Sequence, residues 1–217
     1  MHWYDRAVSA VQHTDGIVTL LIRLILAPVM IGAGLEKVNG TNWFVHQLDS
    51  FPFPFNVLPA DLSWFLASWT ELLGGIFLLL GLGTRFWAVA LAVTMFVAAY
   101  SVHLPNGWPA IAPSNPPAMC IDGSDARAES SVLERYGKCY NVNERTIEAS
   151  ERLSRAKSIL REHGNFRYLN GSGSIVKLNN GIEFAAMYFC MLLALVIIGG
   201  GRYLSADYWL RFVLRRQ

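Results

Sequence analysis

The 217-residue chain is 53% hydrophobic and only 16% charged, with a formal net charge of +2. Soluble domains carry about 25% charged residues, so the composition excludes a disordered chain, a disulfide-dense mini-protein and an ordinary cytosolic enzyme. Ten Lys/Arg and eight Asp/Glu fall in residues 105–181, whereas residues 17–104 hold only Arg23, Glu36, Lys37, Asp49, Asp61, Glu71 and Arg85. That distribution predicts an all-α integral membrane protein with one water-facing insert. The small net charge gives no support for a nucleic-acid partner.

Residues 1–16 read as an interfacial helix with Trp3, Tyr4, Ala7, Val8 and Val11 on one face. Four apolar stretches follow, at residues 17–35, 64–82, 86–104 and 182–200. Each approaches the ~20 residues a helix needs to cross hydrocarbon. The first carries Arg23 and is followed by no A-x-A-like site, so it is not expected to be a cleaved signal. The predicted organisation is therefore transmembrane helices one to three over 17–104, an insert over 105–181, helix four over 182–201 and an amphipathic tail over 202–217, a four-helix bundle in all.

Lys and Arg in the short flanks set orientation. Arg6, Arg85, Arg202, Arg211, Arg215 and Arg216 lie on one side, against Lys37 alone on the other. Both termini are thus expected in the cytoplasm and the insert outside, which in a bacterium is the periplasm. Cys120 and Cys139 lie in that insert. An oxidising compartment permits a bridge closing a roughly 20-residue loop, worth ~3 kcal/mol. A redox-active pair is the alternative, although the spacing is not C-x-x-C. Cys190 is expected as a small packed side chain in the fourth span.

Within the insert, one helix is predicted from about Glu144 to His163. Asn143 caps it, Gly164 stops it, and Ala149, Leu153, Ala156 and Leu160 form its apolar stripe. Glu148–Arg152 and Glu151–Arg155 are its i,i+4 pairs. The loop before the second span carries Trp43, Phe44, Phe51, Phe53 and Phe55 with three prolines. It reads as a stiff cap on the bundle mouth, or as one wall of a hydrophobic pocket.

Ionisable groups inside a bilayer are costly, so each is a functional candidate. Arg23, Ala27, Met30, Gly34 and Lys37 share one helical stripe; Ala67, Glu71, Gly74, Leu78 and Gly81 share another. At ~1.5 Å rise per residue, Arg23 and Glu71 differ by ~10 Å in height, a gap two extended side chains can span. The expectation is an Arg23–Glu71 pair, serving either to fix helix register or to handle protons. His103, Glu36, Lys37 and Glu183 are expected together at the outer mouth. No metal-ligand motif occurs, and a copper or haem site shared by His46 and His103 is the weaker alternative.

Several of these residues carry a resemblance. Arg23-Leu24 with Gly34–Lys37, Glu71–Gly75 running to Gly81–Arg85, Val102-His103 with Asn106-Gly107, Asn180–Glu183, and Gly199–Tyr203 with Ser205 and Asp207 together resemble the DoxX family of small four-helix membrane proteins. The insert from about Pro109 to Leu178 departs from the pattern. The resemblance implies a bacterial inner-membrane protein and an accessory role in membrane redox systems: quinone-linked sulfur oxidation, oxidative-stress defence or copper-linked maturation. Quinone is then the implied cofactor, with membrane lipid and periplasmic proteins as partners. Arg23, Glu71 and His103 would handle protons or the ring, while Glu36, Lys37 and Glu183 shape the mouth. A non-catalytic scaffold whose insert docks a periplasmic protein is the second reading.

Overall fold

The computed structural model describes Trp3, Tyr4, Arg6 and residues 14–215. The predicted interfacial helix, with Ala7, Val8 and Val11, falls largely outside the described residues. Among the described residues the regular elements are helical, apart from an isolated bridge between Ile111 and Leu178.

The first three helices are α1 (Asp15–Asn39), α2 (Ala60–Leu80) and α3 (Thr84–Ala98), the last continuing into a π-helical turn at Ala99–His103. Then come α4 (Asp125–Glu129), α5 (Val132–Cys139), α6 (Glu144–His163), α7 (Phe166–Leu169), α8 (Glu183–Ile198) and α9 (Ala206–Leu214). Among the described residues, three helical stretches are long and apolar enough to cross a membrane: Gly16–Asn39, Ala60–Leu80 and Thr84–Asn106. Their exposed side chains include Leu21, Ile25, Leu80, Phe86 and Val93, the kind of surface that lipid rather than water solvates. The apolar helix α8 has only 16 residues, because the chain turns at Gly199 with a positive φ of 84°. Cys190 on α8 is free and exposed, not packed as expected.

The chain divides into two compact units, one built from residues up to Ala98 with those from Ala186 onward, the other from Ala99–Ala185. In the first, Leu26, Met30, Leu78, Leu91, Leu192 and Leu195 form the buried core. Lipid tails are as apolar as leucine, so helices in a membrane associate through close packing rather than through escape from water. Glycines permit that closeness. A Cβ on Gly34 would stand 2.5 Å from the backbone nitrogen of Leu72, and one on Gly75 would stand 2.9 Å from that of Ile31. Gly34 of the first predicted stripe thus meets α2, but on α2 the close approach is made by Gly75, outside the second stripe, while Gly74 within it faces Leu91 of α3.

At the start of α2, Trp43, Phe44, Phe51 and Trp64 pack edge to face, with centroids between 4.8 and 6.0 Å apart. Phe53 stays exposed, outside that cluster.

The second unit holds the insert. Cys120 and Cys139 are joined in a disulfide that ties a short 3-10 turn to the end of α5. Helix α6 has the predicted bounds, and the Asn143 side chain accepts from Thr146 N at 2.9 Å. Glu148 and Arg152 pair across one turn. Gly164 ends the helix in an extended conformation, its N–H donating to Leu160 O. The short helices α4, α5 and α7 add to the single helix expected here.

Candidate functional site

Two charged side chains of the apolar helices are enclosed in the first unit, Arg23 and Glu71, and they do not pair with each other. Glu71 Oε2 accepts from Lys37 Nζ at 2.6 Å. The glutamate side chain is 3% exposed and the lysine 19%, so the pair is shut on one side and partly open on the other. Helix geometry explains the partner. Glu71 lies on the α2 face that Gly34 allows α1 to approach, and Lys37 stands one turn beyond Gly34. Lys37 is also in the last turn of α1, where unpaired carbonyls favour a cation.

Arg23 performs a different task. Nη1 donates to Leu78 O at 3.3 Å and Leu79 O at 3.4 Å, and Nη2 donates to Leu204 O at 2.6 Å. The last carbonyls of a helix have no partner within it, so the guanidinium serves as a side-chain cap for α2. Gly81 ends α2 with φ +67°, and any Cβ there would collide with Arg23 Nη1. Asp207 completes the arrangement: its N–H donates to Gly81 O, while its carboxylate accepts from Gly83 N at 2.7 Å and Thr84 N at 2.9 Å. It therefore caps the N-terminus of α3. The height argument that joined Arg23 to Glu71 failed because it ignored backbone carbonyls, which satisfy a guanidinium as well as a carboxylate can.

In the second unit, His103 Nδ1 lies 2.9 Å from Asn180 O. A carbonyl only accepts, so Nδ1 carries the hydrogen of this contact. Asn106 Nδ2 donates to the same carbonyl at 3.1 Å, and Asn180 itself adopts φ +59°. Glu183 Oε2 accepts from Ala110 N at 3.0 Å. Asn179 is buried, and its side-chain amide donates to Asn106 O and Pro109 O, both at 2.8 Å. This hub, with Thr146 donating to Asn106 O, straps the two ends of the insert together.

The outer-mouth cluster expected of Glu36, Lys37, His103 and Glu183 is thus divided: Lys37 serves Glu71, His103 and Glu183 serve backbone groups of the second unit, and Glu36 is exposed. His46 is exposed in its 3-10 turn. Among the described residues, no group of three or more His, Cys, Asp or Glu is gathered to hold a metal ion. Asp207 and Asn179 are absent from the candidate site residues of the sequence reading, which gave Asp207 only as part of the family resemblance. Asp207 follows the helix cap Ser205 and reads locally as a first-turn acid; only the fold brings Gly83 and Thr84 to it.

Residues 18–104 match the family model DoxX. A curated protein of Haemophilus influenzae, described as uncharacterized, is 44% identical over 94 residues, which is 43% of this chain. The chain spans 62% of that relative's length. No solved structure matches.

Proposed function

We propose, from the DoxX domain at residues 18–104, that the protein is a four-span bacterial inner-membrane subunit that binds a quinone and serves a membrane redox system. Three apolar spans support the membrane location. A fourth crossing by α8 is supported by Arg85 Nη2 donating to Ile197 O at 3.0 Å, which brings the end of α8 to the start of α3. Arg85, Arg202, Arg211 and Arg215 at that end, against Lys37 at the far end of α1, favour cytoplasmic termini and a periplasmic insert.

One observation carries the quinone reading: the enclosed Lys37–Glu71 pair, with its lysine partly open. Lys37 can donate N–H to a quinone carbonyl, and Glu71 can receive a hydroxyl proton from the quinol. Until a ligand arrives, each charge neutralises the other, which is how a membrane interior tolerates them. We give Arg23 no part in this chemistry, since its Nη1 and Nη2 donate to the carbonyls of Leu78, Leu79 and Leu204 at the C-terminal end of α2.

The test is mass spectrometry of small molecules in protein purified gently from its native membrane. Quinone present in the wild type and lost in Glu71→Leu supports the reading. Wild-type protein free of quinone, or unchanged quinone in Glu71→Leu, overturns it.

A further inference from the structure

Val132, Leu133, Tyr136 and Tyr140 recur at i, i+1, i+4 and i+8, one face of α5 and its C-cap. They are 76%, 81%, 75% and 71% exposed. Apolar surface left in water costs ~25 cal/mol per Å², so something covers this face. The opposite face is already satisfied. Glu134 and Lys138 are ion-paired at 2.9 Å, and Arg135 donates to Arg127 O and Ser130 O.

We infer that α5 lies in the headgroup layer of the membrane, with Val132, Leu133, Tyr136 and Tyr140 buried in lipid. Area is the first argument. Four such side chains offer roughly 400–500 Å², well below the ~800 Å² per partner of a stable protein interface. A bilayer needs no such area, because the insert is held beside it. The chain enters the unit from the candidate membrane span that contains α3 and leaves it into the shorter apolar helix α8, whose crossing is part of the function proposed above. That tether keeps the local lipid concentration high, so a weak contact suffices. Chemistry is the second argument: tyrosine suits the headgroup level, with its ring among apolar groups and its hydroxyl in water. The disulfide at Cys139 holds the end of α5, so the face is formed before it meets lipid. The inference rests on the membrane topology proposed above and is independent of quinone binding.

The experiment replaces Leu133 with the photo-reactive amino acid p-benzoylphenylalanine in the full chain, in native membranes, with the same replacement at Glu134 as the comparison. Both side chains point outward, so neither replacement displaces a packed neighbour, and a non-reducing gel checks the disulfide in each. After irradiation, mass spectrometry identifies what each position has captured. Phospholipid adducts several-fold more abundant at position 133 than at 134 are expected. Adducts to another protein, no adduct, or equal lipid labelling at both positions overturns the inference.

Discussion

Lys37 and Glu71 close the C-terminal half of α1 onto α2 through one ion pair at 2.6 Å, and the carboxylate is almost wholly enclosed. Removing one partner leaves the other charge buried alone, which costs ~3–5 kcal/mol, whereas replacing both by apolar groups is close to neutral. Lys37→Met is therefore expected to lower the melting temperature in detergent by several degrees. The double variant Lys37→Met/Glu71→Leu should recover most of that loss. A double variant no more stable than Lys37→Met would show that the pair does not join the helices.

Arg23 makes three hydrogen bonds to carbonyls through a planar fork. Lysine offers a compact ammonium and cannot span the same acceptors. Arg23→Lys should destabilise the protein by ~2 kcal/mol, the order expected for losing bonds to a charged group. Trypsin cleavage at Arg202 should also quicken, since Leu204 loses its anchor.

Gly34→Ala tests the closeness of α1 and α2. The added carbon would meet the backbone of Leu72 at 2.5 Å, and a backbone atom cannot swing aside as a side chain can. The expected result is a poorly accumulating, protease-sensitive chain. By contrast, Gly32→Ala has open space around the new carbon and should be neutral or slightly stabilising, as alanine favours a helix by up to ~1 kcal/mol over glycine.

Cys120→Ser with Cys139→Ser should loosen only the insert. Loss of a loop closure of this length removes ~3 kcal/mol, read as faster proteolysis between the two positions. Thermal stability of the spans should be unchanged. A cysteine-labelling assay on the wild type, with and without reductant, reports whether the pair is oxidised in cells and hence whether the insert faces an oxidising compartment.

Three of the four expected spans were legible because long apolar runs carry their own signal, and the stripe from Arg23 to Lys37 correctly marked the face of α1 that meets α2. The bounds of α6 were legible because Asn143 and Gly164 act locally. Helix α5 was not foreseen although Ser131 and Glu134 stand at capping-box spacing; its eight residues are too few for periodicity to show. The partners of Arg23 and Glu71 were misjudged for a different reason. Spacing along one helix gives height and face, but a neighbour's free carbonyls or a lysine one turn away compete for the same charge. Asn179 was illegible as a hub, because its acceptors at Asn106 and Pro109 lie about 70 residues away.

The junction of Arg23, Gly81 and Asp207 has a consequence for how the chain is made. During synthesis, α1, α2 and α3 enter the membrane long before Leu204 and Asp207 leave the ribosome. Until then the amides of Gly83 and Thr84 lack their carboxylate, and Arg23 lacks its shortest acceptor bond. The bundle stays open at that end until the segment with Leu204 and Asp207 closes it. A chain that stops short of Ser205 therefore carries an unsealed end, with the Gly83 and Thr84 amides and the Arg23 guanidinium short of acceptors.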